Sequence, residues 1–331
     1  MHVLVIKTSS LGDVVHTLPA LTDAAKMIPN IRFDWAVEEA FSEIPSWHPA
    51  VEKVIPIAIR RWRKDPVGSL LGTEWKRCKQ SLRKGHYDAV IDAQGLLKSA
   101  WLARFVRAPR YGYDRDSVRE RWATLAYHHQ FSVPKEMHAV ERIRDLFSQI
   151  LKYKLPETQG EYSLDQKKFK SSGQLTSSLV FLHGTARDEK LWPESHWKAL
   201  TKMATSNGYE VLLPWGNSSE QERAKRIASV NASAHILPKL NLRGLATTLL
   251  NASGVVGVDT GLGHLAAAFD VPNVSLYGPT YPSLVGTYGK QQVHLQSKKV
   301  NKKGQNPEAL MAEISPEIVW TNLSTIAQRA K

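Results

Sequence analysis

The strongest constraint on the fold is an alternation of short apolar runs with stretches of helical spacing, which occurs twice along the chain. In the first half the apolar runs cover residues 2–6, 31–37, 51–57 and 87–91. The second half repeats the pattern with runs at 178–183, 209–213, 234–237, 254–258 and 273–277. Apolar runs joined by helices predict parallel strands with helices on both faces. The sequence therefore predicts an α/β protein of two doubly wound, Rossmann-like domains facing a central cleft.

Residues 156–177 interrupt this alternation. The stretch is rich in Ser, Gln and Lys and shows no helical spacing, which indicates a linker between domains. We expect an N-terminal domain over residues 1–155 and a C-terminal domain over 178–314, each long enough to bury its own core. A final helix-like segment, 315–331, has no strand after it. It can pack on either domain, and we expect it to return to the N-terminal one.

The net charge indicates an anionic partner. Lys and Arg number 44 against 31 Asp and Glu, a formal charge of +13. Such an excess suits a nucleic acid, a phosphorylated substrate or an acidic membrane surface, and it does not choose among them. The single Cys78 cannot form an internal disulfide, and the opening MHVLVIKTSSLGD lacks a signal-peptide pattern. We therefore expect a cytoplasmic protein.

The loop after the first predicted strand reads KTSSLGD, residues 7–13. It has neither the GxGxxG of a dinucleotide site nor the GK[ST] of a P-loop. Asp13 lies at the start of the following helix, where it would repel a phosphate. Two interpretations of Asp13 remain open: a helix N-cap, or a general base at the mouth of the cleft.

Two loops in the second half suit a diphosphate. In the first, GTARDEKLW at residues 184–192, Thr185 can offer a hydroxyl and Lys190 a point charge, although a solvated loop is the alternative. In the second, VVGVDTGLGHL at residues 255–265, a buried strand runs into glycines that start a helix. The N–H groups of Gly261, Leu262 and Gly263 can contact a diphosphate there.

Three further side chains near these loops keep two interpretations each. Asp259 can hold sugar hydroxyls or cap the helix. His264 can bind phosphate or simply pack. Glu220 lies where a ribose-binding carboxylate would lie, and the same position also favours an acid that stabilises a helix N-terminus.

Basic residues cluster in the N-terminal half. Four of them follow the predicted strand 51–57 directly, and others lie farther along; the set is Arg60, Arg61, Arg63, Lys64, Arg119, Arg142 and Arg144. A basic run can be a solvated face. At a strand end it can also be a clamp for carboxylates and phosphates, because arginine forms bidentate bonds with both.

Six separated stretches carry a family resemblance. They read KTSSLGDVVHTLPAL, IDAQGLLKSA, LHGTARDEKLWPE, LPWGNSSEQERAK, VDTGLGHLAAA and LYGPT. In sequence and in order they resemble the bacterial lipopolysaccharide heptosyltransferases, which are glycosyltransferase family 9 and have the GT-B fold. The resemblance covers most of the chain.

The resemblance implies an inverting glycosyltransferase that moves L-glycero-D-manno-heptose from ADP-heptose to the 3-deoxy-D-manno-octulosonic acid (Kdo) residue of Kdo2-lipid A. A family paralogue with a different acceptor is the alternative. The N-terminal domain is expected to bind the acceptor and the C-terminal domain the donor. By this resemblance Asp13 is the catalytic base and Lys190 contacts the diphosphate. Glu220 contacts the ribose and Asp259 the heptose hydroxyls.

The resemblance also implies the rest of both sites. Further donor contacts are Thr185, Ala186, Leu240, Thr260, Gly261, Leu262, Gly263 and His264, with Leu240 at the adenine. Acceptor contacts are Ser10 and the basic set named above.

Cofactors and partners follow from the same reasoning. Neither an HExxH motif nor a pair of cysteines is present, so we expect transfer without a metal or other cofactor. The enzyme is expected to be a monomer on the cytoplasmic face of the inner membrane, whose surface is anionic. A nucleic-acid-binding protein should carry a recognisable binding motif, and an NAD-dependent oxidoreductase should carry GxGxxG, so both are disfavoured.

Overall fold

The computed structural model describes residues 1–65, 68, 72–169, 177–297 and 307–329. The chain divides into two compact units, Met1–Asp165 and Gln166–Lys331. This division lies inside the stretch 156–177 that was expected to be the linker, of which 170–176 is outside the described residues.

The first unit is a parallel sheet with strand order β3-β2-β1-β4-β5-β6. Its strands are β1 His2–Ile6, β2 Arg32–Glu38, β3 Val51–Ile57, β4 Ala89–Asp92, β5 Arg110–Tyr113 and β6 His129–Phe131. Its α-helices are α1 Leu11–Val15, α2 Leu18–Met27, α3 Glu43–Ser46, α4 Ile59–Trp62, α5 Thr73–Lys84, α6 Leu97–Ala103 and α7 Ala139–Leu151. Glu39–Phe41 and Arg121–Ala126 form 3₁₀ turns.

The second unit repeats the arrangement with strand order β12-β11-β10-β7-β8-β9, again parallel. Its strands are β7 Ser178–Leu182, β8 Glu210–Leu213, β9 Ala234–Ile236, β10 Gly254–Val258, β11 Asn273–Tyr277 and β12 Gln292–Gln296. Its α-helices are α8 Glu194–Ser206, α9 Ser218–Ala228, α10 Leu242–Leu250, α11 Gly261–Ala268, α12 Pro282–Val285, α13 Pro307–Ala312 and α14 Pro316–Arg329. Gln166–Phe169 and Asp188–Lys190 form 3₁₀ turns.

The central strands carry continuous apolar runs because helices cover both faces of each sheet. From Val3 to Ile6, β1 is fully buried, and so is β10. The edge strands β6 and β12, and β5 next to the edge, lack such a run, as in the sequence RYGY of β5, and the apolar pattern did not reveal them. The predicted α/β fold with two doubly wound domains is confirmed.

The C-terminal helix α14 belongs to the second unit. It packs against α8, β10 and β11, and its Val319 and Leu323 are fully buried in that core. This differs from the expectation that the segment returns to the N-terminal domain. The apolar face of α14 matches the groove beside β10, where a Cβ on Gly254 would lie 3.0 Å from Leu323 Cδ1.

Arg144 on α7 fixes the chain that follows the first sheet. It is 2% exposed, and its Nε donates to Asp23 at 2.6 Å while Nη1 donates to Glu141 at 2.8 Å. Its Nη2 donates to the carbonyls of Pro156 and Thr158 at 3.2 and 2.9 Å. Residues 156–158 are thereby held in the first unit. All the donors of Arg144 face protein groups, so its predicted contact with an acceptor gives way to a structural role.

The helices in the described part of the chain include none that is both long enough and apolar enough to cross a membrane.

Candidate active site

Both sheets reverse their strand order at one point. In the first unit the reversal falls between β1 and β4, and in the second between β7 and β10. Ligands of doubly wound sheets bind outside the carboxyl ends of the strands at such a point, because the two loops there diverge and leave a crevice. The residues that follow these four strands are therefore the candidates for chemistry.

Gln94 locks the loops after β1 and β4 together. Its Oε1 accepts hydrogen bonds from the N–H and the hydroxyl of Thr8 at 2.6 and 2.7 Å. Its Nε2 donates to the carbonyl of Ser9 at 2.9 Å, and Lys98 Nζ donates to Ser9 Oγ at 2.8 Å. The stretches KTSSLGD and IDAQGLLKSA thus form one hydrogen-bonded network.

Asp92, at the end of β4, supports this network from below. Its two oxygens accept hydrogen bonds from the N–H groups of Gln94 and Gly95 and from the hydroxyls of Ser99 and Tyr127. Gly95 has φ of +68°, and a Cβ there would lie 2.9 Å from Val118 Cγ2, so the turn requires glycine. Burial raises the pKa of Asp92 despite these bonds.

Asp13 is the third residue of α1, and Ser10 is the N-cap. The Asp13 carboxylate reaches back, so that its Oδ2 accepts from the N–H and the hydroxyl of Ser10 at 3.0 and 2.9 Å. Its Oδ1 lies 3.6 Å from Nζ of Lys7, which is 5% exposed and donates to the carbonyl of Ala93 at 3.0 Å. Asp13 is thus not the N-cap itself, although it satisfies the N-cap backbone.

The charge of Asp13 is fixed by its neighbours. Burial opposes its ionisation, but the Lys7 ammonium and the Arg119 guanidinium outweigh that effect and hold the pKa of Asp13 below its usual value. The carboxylate is therefore ionised throughout the physiological range. It can accept a proton, and its two Ser10 hydrogen bonds orient it.

The predicted basic residues divide into three groups. Arg60, Arg63 and Lys64 are exposed after β3, and Arg60 and Arg63 are close enough to Lys98 to help lower its pKa, of which burial is the main cause. Arg61 is bound by Glu39 and Glu74 at 3.0 and 2.6 Å.

The third group is farther along the chain. Arg119 is exposed and acts on Asp13, as above. Arg142 is half-buried, donates to the carbonyl of Ser117 at 2.7 Å, and lies over the ring of Tyr113 at 5.2 Å. The structure therefore gathers Arg60, Arg63 and Arg119 around the Asp13 loops, and it places Arg61 in an ion-pair network of its own.

In the second unit three loops meet at Asp259, directly after β10. Its Oδ2 receives Nζ of Lys190 at 2.6 Å and the hydroxyl of Thr280 at 2.9 Å. The hydroxyl of Thr185 donates to the Asp259 carbonyl at 3.3 Å. The side chains of Lys190 and Asp259 are 16% and 10% exposed, so this pair is partly shielded from water. Thr280 is a contact that the sequence analysis missed.

The N-terminus of α11 lies beside this pair. Thr260 is its N-cap and forms no side-chain capping bond. The first N–H groups of a helix have no intrahelical acceptor, so those of Gly261 and Leu262 can receive an anion. The N–H of Gly263 already donates to the Thr260 carbonyl at 3.1 Å, which removes it from the predicted diphosphate contacts. His264 is 6% exposed on the first turn.

Glu220 lies at the start of α9, where Asn217 is the N-cap. Its Oε2 accepts from the N–H of Gly216 at 2.7 Å. A Cβ on Gly184 would lie 2.7 Å from Glu220 Oε1, so the carboxylate packs against the loop after β7. Glu220 therefore joins the loops after β7 and β8, and Gly184 is a site residue that the prediction overlooked.

The remaining donor candidates lie nearby in sequence but are less constrained. Leu240 is half-buried just before α10, next to Lys239, whose Nζ lies 6.0 Å from the Trp215 ring. Trp215 Nε1 donates to the carbonyl of Leu237 at 2.7 Å. Ala186 is exposed.

Two groups of residues bear on a metal ion. His2, Asp34 and Glu52 place three ligand atoms within 4.8 Å of one another, but they lie toward the amino ends of β1, β2 and β3, away from the loops described above. The sequence also contains two closely spaced carboxylates in the DxD pattern Asp114-Arg115-Asp116, and carboxylates are ligands of divalent ions. There Asp114 Oδ1 accepts from the N–H groups of Asp116 and Ser117 at 3.2 and 2.8 Å, so it shapes a turn.

Comparison with known proteins identifies the family. Residues 75–314 match Glycosyltransferase family 9 (heptosyltransferase). The chain belongs to this family.

Individual relatives agree. Lipopolysaccharide heptosyltransferase 1 of Pseudomonas aeruginosa is 55% identical over 298 residues, 90% of this chain and 84% of the relative. The Escherichia coli K12 enzyme of the same name is 48% identical over 317 residues, 95% of this chain and 99% of the relative. Lipopolysaccharide heptosyltransferase 2 of Salmonella typhimurium is 27% identical.

Solved structures give the same result. E. coli heptosyltransferase WaaC with ADP has a TM-score of 0.91 and 46% identity, covering 98% of this chain and all of that one. A second structure holds the same enzyme with ADP-2-deoxy-2-fluoro heptose, at a TM-score of 0.88. The expected family and GT-B fold class are confirmed. The chain is a glycosyltransferase that transfers heptose in synthesis of the lipopolysaccharide inner core.

The Gln94 network gives a prediction for stability. Gln94→Ala leaves the Thr8 N–H, the Thr8 hydroxyl and the Ser9 carbonyl buried without this partner. We expect the free energy of unfolding to fall by about 2–4 kcal/mol, since each such group typically costs about 1–3 kcal/mol. Urea denaturation measures the change. Gln130→Ala is the matched control, because Gln130 is exposed and donates one 3.3 Å bond; equal losses in the two variants would contradict the network.

Proposed function

We propose that this enzyme transfers L-glycero-D-manno-heptose from ADP-L-glycero-β-D-manno-heptose to the Kdo residue of Kdo2-lipid A, with inversion at the anomeric carbon. The observation that carries the proposal is the ionised carboxylate of Asp13, oriented by Ser10 and Lys7 and surrounded by exposed arginines. Identity of 48–55% with heptosyltransferase 1 enzymes supports the choice of acceptor.

In this mechanism Asp13 removes the proton of the acceptor hydroxyl. The new bond forms between that oxygen and the anomeric carbon as the bond from the carbon to the ADP phosphate oxygen breaks. A single displacement of this kind inverts the centre. A carboxylate of low pKa is a weak base, so proton transfer follows the start of bond formation, when the hydroxyl has become acidic.

Lys190 stabilises the departing ADP. An ammonium has three donors, and Asp259 and the surrounding loop aim it while leaving others for the diphosphate. The N–H groups of Gly261 and Leu262, at the positive end of α11, add to this charge. Because the leaving group gains negative charge as the bond breaks, these contacts strengthen in the transition state.

The other donor contacts fix the nucleotide. We propose that Glu220 binds the ribose hydroxyls and that Leu240 packs against the adenine, with Trp215 beside it. Asp259 accepts hydrogen bonds from heptose hydroxyls in addition to the one from Lys190. Thr185, Ala186, Thr260, Gly263 and His264 shape the wall around the diphosphate and sugar.

We propose that no metal ion takes part. Lys190 and the α11 N-terminus supply positive charge where a divalent ion would otherwise do so.

The acceptor is bound by Ser10, Arg60, Arg63, Lys64, Arg119 and Arg142. The enzyme works as a monomer on the cytoplasmic face of the inner membrane. The alternative, heptosyltransferase II or another paralogue, requires an acceptor that already carries heptose. ADP release with an acceptor that lacks heptose separates the two.

Asp13→Asn tests the base. The asparagine keeps the shape of the side chain and an oxygen for Ser10, but it cannot take a proton. We expect kcat to fall about 100-fold or more with donor affinity little changed, since general base catalysis contributes about 10²–10⁴-fold. ADP release and donor titration provide the measurements. Asp116→Asn, an exposed aspartate of the same domain, is the control; near-normal turnover of Asp13→Asn would leave Asp13 a structural role only.

Lys190→Met tests the donor site. The variant keeps the aliphatic chain and loses the cation, so we expect a higher donor KM together with a lower kcat. Lys198→Met, on the helix α8, is the control, because Lys198 pairs with Glu194. EDTA should change neither wild-type parameter. Loss of activity with EDTA that Mg²⁺ restores would overturn the metal-free mechanism.

The ion-pair pattern gives a test of the acceptor site. Neutralising Arg60 and Arg63 together (Arg60→Gln, Arg63→Gln) should raise the KM of a deacylated, soluble acceptor several-fold and leave the donor KM unchanged. Arg61→Gln is the matched control, since Glu39 and Glu74 already occupy that guanidinium. Steady-state kinetics measure both constants. An unchanged acceptor KM in the double variant contradicts the proposed clamp.

A further inference from the structure

Four large apolar side chains are exposed on two neighbouring segments of the first unit. Leu97 and Trp101 lie one turn apart on α6 and are 51% and 40% exposed. Trp122 and Leu125 lie in the 3₁₀ turn Arg121–Ala126 and are 72% and 71% exposed. Side chains three residues apart in a 3₁₀ helix stand on one face. We call these four side chains the apolar patch.

The two segments are bonded to each other. Glu120 accepts a hydrogen bond from the N–H of Leu97 at 2.6 Å, and its own N–H donates to the carbonyl of Gly95 at 3.1 Å. Trp101 stacks on Trp75 with ring centroids 4.7 Å apart. The packing beneath the apolar patch therefore holds its side chains in exposed positions. Water contacts their apolar surface there, which is unfavourable, and a binding partner that covered the patch would remove this contact.

Exposed arginines lie on the two segments of the apolar patch and on the chain between them. They are Arg104, Arg107, Arg115, Arg119 and Arg121. The exposed carboxylates of the same stretch are Asp116 and Glu120, of which Glu120 accepts the hydrogen bond from the Leu97 N–H, so the arginines remain in excess. Two copies of such a surface would repel each other. An apolar patch accompanied by arginines instead complements a partner with an apolar interior and a negatively charged surface. Tryptophan is enriched at the boundary between such an interior and water.

We propose that the apolar patch inserts into the interfacial layer of an anionic phospholipid bilayer, with the exposed arginines on the headgroup phosphates. This deepens the proposed function and rests on it, because a lipid-anchored acceptor would be presented from the same surface. α6 and the 3₁₀ turn follow the carboxyl ends of β4 and β5, the edge that carries Asp13. Lys98, next to Leu97, donates to Ser9 in the Asp13 loop. Insertion therefore places the headgroup region beside the proposed base.

Vesicle binding tests the proposal without using the reaction. The full chain is sedimented with vesicles of phosphatidylethanolamine and phosphatidylglycerol, and with phosphatidylcholine vesicles for comparison. We expect binding to the anionic vesicles, and a fall of about tenfold or more in the partition constant for the double variant Trp122→Ser, Leu125→Ser. The matched control is Ile318→Ser, which removes a 49% exposed side chain from the second unit and should bind like wild type.

A second measurement reports how deeply the tryptophans of the apolar patch enter the bilayer. Brominated phospholipids should quench part of the tryptophan fluorescence of the wild type. Trp122→Phe keeps an aromatic ring, so it should keep most of the vesicle binding and lose part of that quenching.

Turnover of a deacylated, soluble acceptor separates this inference from the proposed function. The double variant should match wild type in that assay, because the apolar patch touches only lipid. If the wild type fails to use that acceptor, the proposed function fails while the vesicle result stands. Equal sedimentation of wild type and double variant overturns the lipid assignment. The assignment is also overturned if the wild type binds no vesicles but self-associates, and the double variant does not self-associate.

Discussion

The two hydrogen bonds that Gln94 Oε1 accepts from Thr8 are the interaction on which the proposed chemistry of the first unit depends. The strand order of that sheet reverses between β1 and β4, so the loops after these two strands would otherwise separate. Gln94 joins them through two bonds to Thr8 and two to Ser9, all buried. The position of Ser10, and through it the orientation of Asp13, follows from this join. Asp92 adds to this network by accepting hydrogen bonds from the N–H groups of Gln94 and Gly95, and a buried polar network gains most when its members are satisfied.

Each unit contains a lysine paired with an aspartate at the point of reversal, and the two pairs work in opposite senses. In the first, Lys7 is buried and bonded to a carbonyl, and its charge keeps Asp13 ionised. In the second, Asp259 is the more enclosed member, and it aims Lys190. In the proposed mechanism the same pair of residue types thus prepares a base in one unit and a cation in the other. In each pair the more enclosed residue positions the other, so that Asp13 in the first unit and Lys190 in the second are the members proposed to contact substrate.

The parts of the structure that sequence predicted are those encoded locally. Strands such as β1 and β10 carry continuous apolar runs, and glycines beside Asp259 mark the start of α11. What sequence could not supply are partners distant along the chain. Arg61 and Arg144 look like any other member of the basic set, and only the fold brings them to Glu39, Glu74 and Asp23. Lys7, Gln94 and Thr280 lay inside recognised motifs, but their roles depend on the loop opposite.

The packing of α14 has a consequence for the order in which the chain can fold during synthesis. Every strand and helix of the first unit precedes residue 166, so this unit has its whole core as soon as that stretch leaves the ribosome. The second unit lacks Val319 and Leu323 until the chain has grown past residue 323, although both belong to its core. Until then β10 and β11 present uncovered apolar surface. The domain proposed to bind the nucleotide is therefore the one most exposed to premature association while the polypeptide is still growing.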